Sequence, residues 1–162
     1  MQTTWNGSCT CGATRFRLES APMFVHCCHC RDCQVQTGSA FVLNALIETD
    51  RVTLLAETPV RIGVPTDSGQ PHEIARCPVC QTAVWSHYGG RPALAFVRVG
   101  TLDERDTLRP DVHIYTRSKL PWVVLPAGTP AFEAYYDSKA LWPEASLARR
   151  RAVIAKIPEP RP

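Results

Sequence analysis

The stretch HCCHCRDC, His26 to Cys33, carries four cysteines and two histidines in eight residues. Thiols packed this densely have three uses: oxidised pairs, small buried hydrophobes, or metal ligands. The choice decides the fold, because a chain pinned around metal ions and a chain stapled by disulfides bring different segments together. Four more cysteines complete the set of eight, at Cys9, Cys11, Cys77 and Cys80. An even number suits a disulfide framework, but these cysteines crowd at close spacings rather than spreading along the chain. The opening residues, MQTTWNGSCT, show no basic segment followed by an apolar one, and no apolar run approaches a membrane span. The expectation is a cytoplasmic protein, not membrane-bound, whose thiols stay reduced.

At 162 residues and 44% apolar composition, the chain is long enough to build a core without covalent staples. The net charge of +3 is mild and scattered, so a nucleic-acid partner ranks last. The one basic run, Arg149-Arg150-Arg151, reads as the solvated face of a helix. No internal repeat is visible, and nothing specifies an oligomeric state.

Most segments read as short strands bounded by Gly, Pro, Asp and Thr. In TRFRLE, residues 14–19, Thr14, Phe16 and Leu18 alternate with Arg15 and Arg17. PMFVHCC (22–28), FVLNALIE (41–48), RVTLLAE (51–57), PVRIGV (59–64), TAVWSHY (82–88) and ALAFVRVG (93–100) follow, and HIYT (113–116) and PWVVLP (121–126) add two. RDCQVQTGS, residues 31–39, reads as one or two helical turns started by Asp32 and ended by Gly38. PEASLARRRAVIAKI, residues 143–157, is the longer helix, and PEPRP a tail. The expected architecture is therefore mainly β. Short antiparallel strands form a zinc-binding β domain over residues 1–140, with a short helix after the cysteine cluster, and residues 141–162 form a C-terminal helix and tail.

Side chains two apart on a strand share a face, so Cys9 and Cys11 can approach the separation of about 3.8 Å that sulfurs take around zinc. Gly12 lets the backbone bend directly after them. In Cys77-Pro78-Val79-Cys80, a turn folds both sulfurs toward one point, with strand candidates on both sides. Cys9, Cys11, Cys77 and Cys80 then make a closed, structural four-thiolate zinc site that closes a long loop. If the strand through HCC reaches residue 30, then His26, Cys28 and Cys30 share a face and Cys33 swings back from the helix. Cys28, Cys30 and Cys33 form an incomplete trio, the arrangement of a catalytic zinc with an open position. Cys27 would close that site as a fourth thiolate, but adjacent strand residues diverge, which favours a small buried hydrophobe. His26 is either a weak fourth ligand, a proton acceptor or simply packed, while His29 faces away. A ribbon-like pairing of Cys30 and Cys33 with Cys77 and Cys80 would need an unusually long intervening segment.

The blocks GSCTCGATRF, HCCHCRDCQVQTGSAF and RCPVCQTAVW, followed by HIYTRSKLPWVVLPAGTPAFE, resemble the signature of the glutathione-dependent formaldehyde-activating enzyme family. That family includes S-(hydroxymethyl)glutathione synthase and centromere protein V, and the resemblance spans residues 5 to 137. It implies a tent-like zinc β fold and the same division of two zinc ions per chain, one structural and one catalytic. It also implies carbon–sulfur lyase chemistry, the reversible joining of glutathione, a small thiol, to formaldehyde. Cys27 departs from the family pattern. Under this reading Arg31 offsets the charge of the thiolates, and Ser39, Arg76, Arg117 and Lys119 are candidate donors to glutathione's carboxylates. Trp85 and Trp122 either line an apolar wall or pack in the core. The rivals are a non-catalytic zinc module that binds protein or nucleic acid, and a redox enzyme exchanging Cys30 and Cys33. The latter lacks a thioredoxin-like βαβ context.

Overall fold

The computed structural model describes residues 3–155. In chain order the strands are β1 (Trp5–Ser8), β2 (Arg15–Leu18), β3 (Phe24–Cys28), β4 (Val42–Glu48), β5 (Val52–Leu54), β6 (Val60–Val64), β7 (His72–Arg76), β8 (Ala83–Tyr88), β9 (Leu94–Arg98) and β10 (Val112–Ile114). The helices are α1 (Arg31–Thr37), α2 (Ser138–Leu141) and α3 (Glu144–Ile154). Two sheets result: a small one ordered β1-β2-β5, and a large one ordered β10-β3-β4-β9-β8-β7-β6. The mainly β expectation, with a short helix after the cysteines and a C-terminal helix, holds.

Both faces of β3 and β4 are covered, and the alternation of side chains splits the core in two. Val25, Ala45 and Ile47 pack with Phe16, Leu18, Trp85 and Val97 in one cluster shared with the small sheet. Phe24, Cys28, Val42 and Leu46 pack on the opposite face with Tyr136, Trp142, Leu147 and Val153. The second cluster is what holds α3, since an isolated helix of this length is marginal in water. Arg149 adds a charge-assisted contact, its Nε donating to Glu48 at 2.8 Å. Arg150 lies over the Trp142 ring at 5.8 Å and Arg151 pairs with Glu144 at 2.6 Å, so the basic run is engaged within the chain rather than merely solvated.

The strands depart from expectation at four places. β10 runs parallel to β3, not antiparallel, with His113 opposite Cys27; the long segment after β9 supplies the crossover that a parallel pair needs. PWVVLP is not a strand: its backbone turns at Val123 N–H to Leu120 C=O, and Trp122 and Val124 are 71% and 88% exposed. Its two prolines remove ladder donors at both ends. β1 and β7 are strands that the sequence reading did not give; in β7 the adjacent Ile74 and Ala75 are both buried, which breaks the alternation, and a bulge shifts the register at Ala75/Arg76. Gly38 closes α1 in the left-handed conformation (φ 62°), donating to Gln34 C=O, as expected. The expected long helix ends at Ile154 among the described residues, and PEPRP lies outside them.

Burial pushes the Glu48 carboxyl up, but the hydrogen bonds from Arg149 outweigh it and hold the group below its ordinary value. Its contribution is thus present above the usual glutamate pKa and is lost as pH falls through the lower folded value. Glu48→Gln is expected to cost about 2 kcal/mol in urea unfolding at neutral pH, with the gap to wild type closing on acidification.

Candidate metal centres and their surroundings

Cys9 and Cys11 do not lie on a strand, as the sequence suggested. β1 ends at Ser8, and the pair occupies a turn in which Gly12 N–H donates to Cys9 C=O at 3.1 Å. Gly12 takes φ +76°, which a side chain would disfavour. The Cys77–Cys80 turn between β7 and β8 is built the same way, with Gln81 N–H donating to Cys77 C=O at 3.0 Å and Gln81 itself at φ 61°. Thr82 joins the two turns: its hydroxyl lies 3.0 Å from that of Thr10 and 3.1 Å from Cys80 Sγ. Sequence reasoning missed this residue, which carries no ligand signal of its own.

The sulfurs of Cys9, Cys11, Cys77 and Cys80 lie within 4.8 Å of one another. Cys9–Cys11 is 3.5 Å and Cys11–Cys77 3.8 Å, close to the roughly 3.8 Å of a tetrahedral thiolate site. Backbone N–H groups point at them, Thr14 N to Cys9 Sγ at 3.2 Å and Val79 N to Cys77 Sγ at 3.4 Å, as thiolate acceptors require. The Thr82 hydroxyl and nearby backbone donors draw the Cys80 thiol down to about 5. At Cys77 burial pushes upward, yet the Cys80 and Val79 N–H groups bring the thiol to about 7. This donor set fits a metal ion held on all four sides.

Cys28, Cys30 and Cys33 form a second group within 4.8 Å. The strand stops at Cys28 rather than running to residue 30. Cys30 is the N-cap of α1, in extended conformation, and its Sγ accepts from Cys33 N–H at 3.4 Å. That is the position a capping serine would take, so Cys30 and not Asp32 starts the helix. Asp32 instead accepts from Asp67 N–H at 3.1 Å. Hydrogen bonds from the neighbouring thiols Cys28 and Cys33, with the Cys33 and Asp32 N–H groups, pull Cys30 down to about 2. Cys28 is driven upward by its bond to Cys30 and by burial. Three thiols converge within ligand range of one another, with the Cys33 N–H directed at Cys30 Sγ, and this donor set fits a metal ion with a position to spare.

Arg31 faces solvent, its guanidinium donating to Gln34 at 3.0 Å. The buried cation near the trio is Arg98, whose positive charge interacts with Cys33, Cys28 and Cys30. It is 7% exposed, directly opposite Asn44 on β4, and bonded to the Asn44 carboxamide oxygen. Its Nε has no hydrogen-bond partner among the described residues. Alternation within VRVG hinted at a strand, but not at the face Arg98 occupies. Ser39 sits exposed just past the helix, its N–H donating to Gln34 C=O at 3.3 Å.

The other candidates divide. Arg76 bridges the two centres, donating to Gln81 C=O at 3.1 Å and to Gln36 of α1 at 3.2 Å. Arg117 lies over the Tyr115 ring at 5.8 Å, and Lys119 Nζ donates to Leu120 and Val123 carbonyls. Trp85 packs edge-on against Phe16 in the core. His26 is bonded through Nε2 to the Tyr136 hydroxyl at 2.9 Å, and burial pushes it down to about 4, so it is a neutral core group. Gln34 clamps the Ser118 carbonyl at 2.9 Å and the His29 carbonyl at 2.8 Å. Tyr115, at φ 56° and within the field of Cys28 and Cys30, is a strained residue beside the trio. All eight cysteines are free thiols.

With this geometry in view, residues 4–118 match the family described as glutathione-dependent formaldehyde-activating enzyme. The chain belongs to that family. No curated protein matches it. A crystal structure of a Rhodobacter sphaeroides protein is similar at 15% identity, over 65% of this chain and 96% of that one, with a TM-score of 0.46. Among the described residues no helix is long and apolar enough to cross a membrane.

Arg98→Met is expected to weaken metal binding at Cys28, Cys30 and Cys33 about 10-fold without changing retention at Cys9, Cys11, Cys77 and Cys80. Competition against a chromogenic chelator separates the two phases.

Proposed function

We propose that this protein is a zinc-dependent carbon–sulfur lyase or synthase acting on a thiol–aldehyde adduct such as S-(hydroxymethyl)glutathione, in the cytoplasm. The observation that carries this reading is the trio of converging thiols at one strand end and helix start, in a chain of the formaldehyde-activating family. Cys9, Cys11, Cys77 and Cys80 are assigned a structural zinc. Cys28, Cys30 and Cys33 are assigned a catalytic one. Zinc there would supply an open coordination position at which an incoming thiol ionises and remains nucleophilic.

The chain's own residues have three tasks. The Cys30 sulfur is fixed by the Cys33 N–H. Arg98 lowers the cost of gathering thiolates in a buried place, since three thiolates around a divalent ion leave a net negative charge. Arg31 and Ser39, on the exposed rim of α1, are assigned to the carboxylates of glutathione. In the synthetic direction the thiol sulfur bonds to the aldehyde carbon, the C=O π bond breaks, and the thiol proton ends on the new hydroxyl oxygen. The lyase direction reverses each change.

Purified protein is expected to hold two zinc ions per chain. Cys33→Ser should lose one zinc and all turnover while keeping its circular dichroism, whereas Cys77→Ser should lose the fold. If both variants behave alike, the division into structural and catalytic centres is wrong. Glutathione should perturb the visible spectrum of the cobalt-substituted protein; no change with any thiol would leave a non-catalytic zinc module.

A further inference from the structure

Beyond the two thiol groups lies a third cluster: Cys27, His29 and His113, which are 2%, 0% and 4% exposed. The backbone explains the convergence. Cys27 and Cys28 leave β3 on opposite faces, and His29, two residues on from Cys27, returns to the Cys27 side. β10 pairs parallel to β3 with His113 directly beside Cys27. Cys27 Sγ lies 3.5 Å from His29 Nε2, and His29 Nε2 lies 3.1 Å from His113 Nδ1. One donor atom from each residue lies within 4.8 Å of the other two. A three-coordinate ion about 2.0–2.3 Å from each donor holds neighbouring nitrogen and sulfur atoms roughly 3.5–3.8 Å apart, so the two imidazoles would part by a few tenths of an ångström on binding.

Hydrogen bonding alone does not satisfy this arrangement. An imidazole nitrogen carries either one proton or one lone pair. His29 Nε2 faces both the Cys27 sulfur and His113 Nδ1, and can bond only one of them. The outer nitrogens, His29 Nδ1 and His113 Nε2, would carry the ring protons when the inward nitrogens ligate, and they have no partner among the described residues. A cation at the centre would satisfy all three inward lone pairs at once.

The geometry points to a buried, three-coordinate copper(I) site formed by Cys27, His29 and His113, separate from both cysteine groups. Charge and coordination number select the ion. One thiolate, two neutral imidazoles and copper(I) sum to zero, which a sealed interior tolerates; a divalent ion would leave an unpaired positive charge there. Among the described residues no carboxylate bonds either outer ring nitrogen to offset such a charge, and Lys119, a cation, already acts on His29. Zinc also prefers four ligands, whereas a thiolate–imidazole set with three donors suits copper. On binding, the Cys27 S–H bond breaks, a sulfur–copper bond forms, and the proton leaves to solvent; copper keeps its oxidation state. The Phe41 ring, 5.5 Å from that of His29, and the cross-strand neighbour Leu43 wall the site with apolar groups.

The test uses the full chain with its zinc content measured first, so failure of the zinc assignment is seen separately. One equivalent of copper(I) is added anaerobically as its acetonitrile complex, and copper X-ray absorption is recorded together with zinc release. The expected result is one copper per chain with two nitrogens and one sulfur in its shell and no zinc displaced. Cys27→Ser and His113→Gln should each lose that copper to a competing chelator while retaining zinc and circular dichroism. A sulfur-only shell with zinc displaced would overturn the assignment, as would undiminished copper retention by folded Cys27→Ser.

Discussion

In β3, successive side chains must point to opposite faces, and in this protein both faces are buried. That constraint makes FVHCC more than a strand. It sends Cys28 with Phe24 into one core cluster and turns Cys27 toward the far side, where His113 waits on the neighbouring strand. A one-residue slip of register would exchange the two sets and mix thiols meant for different partners. The pairing of β3 with β4 over five residues, Phe24–Cys28 against Leu46–Val42, fixes the register on one side. β10 fixes it on the other.

The first cysteine group depends on a different device, two tight turns brought face to face. Each turn uses a left-handed residue, Gly12 in one and Gln81 in the other, to aim backbone N–H groups at sulfur. Thr82 ties them together, and Arg76 links the second turn to α1, which carries Cys33. The two centres are thus joined by a short polar path, while Cys9, Cys77 and Cys80 pack with one core cluster and Cys28, Cys30 and Cys33 with the other. The separation suits the proposed division of roles. A group wrapped on all sides can support the fold, and one at a helix start can keep a side open.

Much of this was legible in the chain. Cysteine spacing marks both groups because sulfur-to-metal distances tolerate few separations along a backbone, and alternation marks the central strands because one period-2 face must be apolar. The reading failed where a local signal was overridden. C-x-C looked like a strand but became a turn once Gly12 took a positive φ. Asp32 looked like a cap, but the N-cap belongs to whichever residue precedes the helix in extended conformation, here Cys30. Arg31 looked like the cation of the trio because it is adjacent in sequence; the helix turns it to solvent and Arg98 takes that place from across the sheet.

What the sequence determined by itself is the inventory and its grouping: which sulfurs lie near one another along the backbone, and which strands have a core face. Those are local properties, set by bond lengths and side-chain periodicity. Only the tertiary structure decided which residues approach from far away in the chain. His113 beside Cys27, Arg98 near Cys33 and Thr82 against Thr10 all depend on strand order and register. The parallel placement of β10 is the clearest case, since nothing within Val112–Ile114 distinguishes a parallel neighbour from an antiparallel one. Long-range pairing is chosen by the packing of the whole core, and that choice has no counterpart in any short stretch of residues.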